Sequence, residues 1–475
     1  MTAPDTGTTT AHGGPADARA ADARAADAPA VATADASAAA ALSPGTQRTV
    51  LVGMVALCAL GAFEALAVAT AMPTVAVELG GLRHYTLAFS VTFAASVVGL
   101  LTAGWWNDRR GPAPAMWTGM ALFAGGLVVA GTATSMGTLI AGRALQGIGS
   151  GLFSVALYVL VARVFAPERR PRVFSAFAAA WVLPAIVGPA LTGLIVTHLG
   201  WRWVFLGVPA LAVVAAILLA PGLAAARGHG TSGGAVSGGA VSGGAVSGGA
   251  VSGRAVGDRA SRAGSAAAPR PARALALALG TLRAARGLSA VITVRALATA
   301  AFTGAEVLLP LVLVHERRLT LTAAGLILTV GALGWSGASW VRGRDLLRLS
   351  HAGYLRLGGA LLAAGTLAAG VLAAPGVPVT VGMISWVLSG LGMGFAYPTL
   401  SVLTLELAEP HEQGLASSGL QVADALAGAG ASAATGALLW TLHDLVGLPA
   451  YAACFGLMAA LAAGVVVLAG RTRVP

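Results

Sequence analysis

Read for its apolar and polar positions, the chain is a succession of long apolar runs separated by short polar breaks. Six runs fall at about residues 50–77, 86–106, 115–133, 136–164, 173–198 and 202–225. Six more fall at about 288–314, 320–341, 352–373, 378–407, 415–442 and 447–470. Each is close to the roughly 20 apolar residues that a helix needs to cross a hydrocarbon core. In lipid every backbone N–H and C=O has to be satisfied internally, so runs of this length predict helices. The expected fold class is therefore an all-α membrane protein, with twelve transmembrane helices in two six-helix bundles.

The polar segments divide the chain. Residues 1–47 are rich in Ala, Asp, Thr and Gly, with too little apolar surface to offset chain entropy, and are expected to be a disordered tail. Bundles are expected over 48–225 and 288–475. Between them, 226–287 carries Ser-Gly-Gly-Ala-Val at Ser232, Ser237, Ser242 and Ser247, the composition of a flexible linker.

Composition supports this reading. Hydrophobic residues make up 57% of the 475 and charged residues 10%, which no soluble globular domain combines. The net charge of +11 raises the question of nucleic acid, but its 29 basic residues, all arginine, lie mostly in short breaks between apolar runs. That distribution follows the positive-inside rule and argues against nucleic-acid binding. The breaks holding Arg109 and Arg110, Arg169, Arg170 and Arg172, Arg342, Arg344 and Arg348, and the arginines of the linker place that side in the cytoplasm, with both termini. Cys58 and Cys454 are expected to be free thiols inside apolar runs, and no cofactor or metal site is expected.

The halves share a local sequence. Leu145, Gly147, Gly149 and Gly151 recur at the same spacing as Leu388, Gly390, Gly392 and Gly394, six helices later, as homologous bundles would. Charges inside the runs are candidates for chemistry, because a charge in the membrane is costly without a cavity or partner. Glu64, Glu306 and Asp424 are the central acids; Arg143, with Gln146 beside it, and Arg295 are the central bases. Each acid is read either as a proton or substrate group or as a hydrogen-bonded structural acid. Glu406 is read as interfacial. Arg295 and Glu306 are eleven residues apart and share a helix face, with Pro310 one turn further. Trp105, Trp106, Trp201, Trp203 and Trp340 lie at run ends and read as an interfacial belt; Trp181, Trp335, Trp386 and Tyr397 are deeper, placed to pack or to stack on a substrate.

Several motifs resemble those of the major facilitator superfamily. Gly104-Trp-Trp-Asn-Asp108-Arg109-Arg-Gly111, read as a tight turn with glycines that permit close helix approach, resembles the loop signature between its second and third helices. Arg143, Gln146, Gly147, Gly149 and Gly151 resemble the fourth-helix signature. Pro184, Gly188, Pro189 and Gly193 resemble the Gly-Pro signature of its antiporters, with Thr192 at a position usually glycine. Glu64 with Pro73 resembles the first-helix pattern of its drug and proton antiporters, Glu standing for the usual Asp. The resemblance implies two bundles alternating access to a midplane cavity. It further implies an exporter of the cytoplasmic membrane exchanging protons for a small amphipathic compound, with Asp108 and Arg109 latching the cytoplasmic face. A metabolite symporter or facilitator, or a non-transporting membrane sensor, are the other readings. An enzyme is not expected, because the eight histidines lie at or outside run ends.

Overall fold

The computed structural model describes residues 43–166, 169–227, 287–374, 376–408 and 413–472. Most of the tail and linker therefore lies outside the described residues. Among those described, twelve helices are long and apolar enough to cross a membrane. They are α1 (Pro44–Glu78), α2 (Tyr85–Arg110), α3 (Pro112–Gly131), α4 (Met136–Val164), α5 (Arg170–His198) and α6 (Arg202–Arg227), then α7 (Leu288–Leu311), α8 (Leu321–Gly343), α9 (His351–Val371), α10 (Thr380–Leu407), α11 (Gln413–Val446) and α12 (Pro449–Leu468).

Helix starts are encoded locally. The Ser43, Ser135, Thr320 and Ser350 hydroxyls accept from the backbone N–H three residues on, at the heads of α1, α4, α8 and α9. The octet that reads as a turn is mostly helix. α2 runs on through Asp108 to Arg110, and only Gly111, at φ 74°, breaks it before Pro112 opens α3. That left-handed backbone suits glycine, and the missing N–H of a proline costs nothing at a helix start.

The two halves repeat one packing scheme. α4 lies against α2 and α3, and α1 against α5 and α6; correspondingly α10 lies against α8 and α9, and α7 against α11 and α12. Glycines set these approaches. A Cβ at Gly147 or Gly151 would strike the α2 backbone at Thr92 and Ser96, and one at Gly149 the α3 backbone at Phe123. In α10, Gly390 and Gly394 meet α8 at Gly331 and Trp335, while Gly392 meets α9 at Gly358. The recurring glycines thus do the same work in both halves. Small residues at such crossings allow the close approach that membrane helices need.

The halves meet along two seams, α2 with α11 and α5 with α8. At the end carrying Glu78 one apolar core runs through both halves, from Met72 and Val75 to Leu308, Ala324, Leu439 and Tyr451. There the Tyr85 hydroxyl donates to the Val307 carbonyl at 2.8 Å, and Arg83 pairs with Asp444 at 3.1 Å. Towards the Gly111 end the second half has a core of its own, around Val294, Leu355, Met393 and Leu400.

Candidate functional site

In the first half, α1 and α4 bring Glu64 to Arg143. Arg143 Nη1 donates to Glu64 Oε1 at 2.5 Å and to Gln146 Oε1 at 2.6 Å. All three side chains are buried, Gln146 1% exposed. The spacing of Arg143 and Gln146 places them within one turn on α4, so the glutamine shares the guanidinium with the acid. The set is incomplete, since Arg143 Nε is buried with no hydrogen-bond partner.

In the second half a larger set forms around Asp424. Arg295 on α7 grips this carboxylate with Nε at 3.0 and 3.1 Å and Nη2 at 2.9 Å. Thr299 donates to one carboxylate oxygen at 2.7 Å and Tyr397 to the other at 2.8 Å. Arg295 Nη1 reaches Ser401 Oγ at 3.1 Å and the Tyr397 carbonyl at 3.3 Å, while the guanidinium lies 3.1 Å from the centre of the Tyr397 ring. Three helices are clasped by one fully partnered ion pair. Sequence reasoning names Arg295, Tyr397 and Asp424 separately but not their union, and misses Thr299 and Ser401. Thr299 is one turn from Arg295 and was legible as its face-mate; Ser401 required the fold.

Glu306 shares the α7 face of Arg295, yet Arg295 turns to Asp424. Among the described residues Glu306 makes no hydrogen bond or ion pair. It is half-buried, the one residue from Thr303 to Leu313 that is not buried. The helix changes just after Pro310: α7 ends at Leu311 and Val312–Glu316 continues as a π-helical turn. Glu406 sits at the end of α10, half exposed and 3.5 Å from His351.

The α5 motif lies on a seam. Pro184, Gly188 and Pro189 are buried; a Cβ on Gly193 would fall 2.6 Å from Thr322, and one on Gly325 of α8 2.8 Å from the Pro189 carbonyl. The Thr192 hydroxyl donates to the Gly188 carbonyl at 2.8 Å, so the threonine is accommodated within its own helix. Of the gate residues, Gly104 departs from expectation, because a Cβ there would meet nothing within 4 Å and no close approach exists at that position. Arg109 is exposed and stacks over the Trp105 ring at 4.5 Å. The Asp108 side chain lies outside the described residues. Trp105, Trp203 and Trp340 are exposed, as a belt requires, but Trp201, in the turn just before α6, is only 2% exposed and packs edge-on against Phe205 in the core. Of the deeper aromatics, Trp335, Trp386 and Tyr397 form one cluster and Trp181 of α5 is not part of it: Phe302 stacks on Trp386 at 5.0 Å and meets Trp335 edge-on at 5.2 Å, and Trp335 meets Tyr397 at 5.4 Å.

Twelve apolar helices in two matching halves, with ion pairs buried within the spans, define a membrane transporter of the paired-bundle class. The sequence profile of the Major Facilitator Superfamily matches residues 50–432, and the chain belongs to that superfamily. Its relatives are transporters, not enzymes. It is 30% identical over 179 residues to the multidrug transporter protein MdtP of Bacillus subtilis (strain 168), a match covering 38% of this chain and 33% of that one. It is 36% identical over 170 residues to the MFS efflux transporter aclA of Aspergillus oryzae (strain ATCC 42149 / RIB 40), covering 34% and 30%. The matched segments thus span about a third of these relatives. Among solved structures, an auto-inhibited POT family peptide transporter superposes with a TM-score of 0.65 at 17% identity, covering 90% of this chain and 98% of that one. A bacterial homolog of the human lysosomal transporter Spinster, inward-facing and unoccupied, superposes with a TM-score of 0.63 at 15% identity, covering 91% and 97%. These likenesses establish the shared fold.

Proposed function

We propose that this transporter is a proton-coupled exporter of small amphipathic compounds in the cytoplasmic membrane, with both termini inside. The observation that carries the reading is the contrast between the two buried ion pairs. Asp424 is held on both oxygens by three partners and has little freedom to release a proton or accept a ligand. Glu64 is bonded through one guanidinium nitrogen that it shares with Gln146, beside an unpartnered Nε. A carboxylate in an apolar span is stabilised in its charged form by arginine and in its neutral form by desolvation. Small rearrangements of Arg143 therefore decide whether Glu64 holds a proton. Substrate entering the cavity competes for the same groups, and the two occupancies become coupled.

The arginine pattern supports the orientation, and two of the relatives are a multidrug transporter, MdtP, and an efflux transporter, aclA. With the Gly111 end inside, the shared core at the Glu78 end closes the cavity to the outside. The test is substrate-driven proton release from detergent-solubilised protein, paired with proton-driven uptake into inverted vesicles. Glu64→Gln removes the titration while keeping the shape. Release is expected to vanish in that variant, and release at the wild-type amount would move the proton site elsewhere.

A further inference from the structure

We propose that Glu306, with Phe302 and Trp335, is the binding site for the head and ring of an aromatic amine carried as a monocation. The inference deepens the transport reading above and rests on it. α7 carries Arg295, Thr299, Phe302 and Glu306 at successive turns, spacings of four, three and four that put all four on one face. Contacts fix where that face looks. Arg295 and Thr299 meet Asp424 of α11, and Phe302 meets Trp335 of α8 and Trp386 of α10, so the face is turned to the interior of its bundle. The opposite face, at Gly304, is packed on Met458 of α12. Glu306 is therefore not turned towards lipid, and its partial exposure, between neighbours that are all buried, opens on interior space.

Of the central charges within the spans, those other than Glu306 are paired. Arg295 is neutralised by Asp424 and Arg143 by Glu64, at 2.9 and 2.5 Å. Among the described residues Glu306 is the acid within a span that has no such partner. A lone carboxylate at low dielectric attracts one positive charge and repels anions. Pro310 adds a second acceptor, since a proline four residues on has no N–H to give to the Glu306 carbonyl. Two acceptors at one residue favour a cation with N–H donors over a quaternary one. One turn away, Phe302 and Trp335 are each half-buried, with Trp386, 3% exposed, backing Phe302. Their perpendicular rings form a corner for a flat apolar body, whose charge is then held by the carboxylate.

The experiment measures equilibrium binding to the purified full chain in detergent, without a proton gradient. The probes are 9-aminoacridine, a flat cation at neutral to mildly alkaline pH, and acridine, its neutral counterpart there. Wild-type protein is expected to prefer the cation by about tenfold or more, the scale of a charge-assisted hydrogen bond. Glu306→Gln should abolish that preference and leave acridine binding in place, which also shows that the variant is folded. Glu306→Asp should retain it, and Phe302→Leu should weaken both probes alike. Equal affinity of the two probes for wild-type protein, absence of 9-aminoacridine binding, or an undiminished preference in Glu306→Gln would each overturn the assignment. Glu64→Gln should still bind the cation. Failure of proton coupling would appear in the proton-release measurement alone, leaving the binding result to stand or fall separately.

Discussion

Glu64 and Asp424 are buried almost equally, 6% and 7% exposed, and both face arginine, but their neutralisation should have different costs. Asp424→Asn removes the grip on Arg295, which is 2% exposed and cannot reach water. Breaking a buried pair from one side costs roughly 3–5 kcal/mol, because the remaining charge stays buried. The variant is expected to melt well below wild type in detergent and to accumulate poorly in membranes. Replacing both Arg295 and Asp424 by leucine should recover much of the loss, since no buried charge remains. An Asp424→Asn protein that melts like wild type would refute the structural role. Glu64→Gln also leaves a buried arginine without its counter-charge, but Glu64 accepts one hydrogen bond where Asp424 accepts several, so its melting point should fall by less while proton release disappears.

At the scale of helices, the glycines of α4 and α10 are distinguished by what they touch. A methyl at Gly147 or Gly390 would collide with backbone, of Thr92 and Gly331 respectively, which cannot rotate aside. Gly147→Ala and Gly390→Ala should each cost roughly 1–3 kcal/mol, the usual scale of overpacking, read as a lower melting temperature. Gly104→Ala is the control within the gate motif, where a methyl meets open space and the melting temperature should hold or rise. Gly111→Ala should destabilise by roughly 1–2 kcal/mol from its left-handed backbone alone. Equal melting of Gly104→Ala and Gly147→Ala would contradict the packing described for α4.

For the whole molecule, an alternating-access cycle as proposed above would move the two seams, and the Glu78 end is where both halves share one core. Gly436 of α11 sits directly on Thr86 of α2, the first turn below the Tyr85 and Arg83 contacts. Cysteines at these two positions should cross-link on mild oxidation and hold that end shut. Transport by the double variant is expected to stop under oxidant and return with reductant, while each single variant is unaffected. Rapid cross-linking without loss of transport would mean that this end need not open.

The apolar runs and their polar breaks were enough to specify twelve helices in two halves, because the bilayer fixes span length and forces backbone bonds inside each segment. The glycine repeat likewise foretold matching packing, since only small residues let membrane helices approach so closely. Pairing was different. Which carboxylate meets Arg295 depends on how α7, α10 and α11 are set side by side, and the face shared by Arg295 and Glu306 could not reveal that Asp424, 129 residues away, takes the guanidinium. The burial of Trp201 and the helical course of the gate octet are of the same kind. Local sequence sets where a helix starts and which residues share its face. Only the packing of helices decides which charges are satisfied, and so leaves Glu306, among the described residues, without a partner.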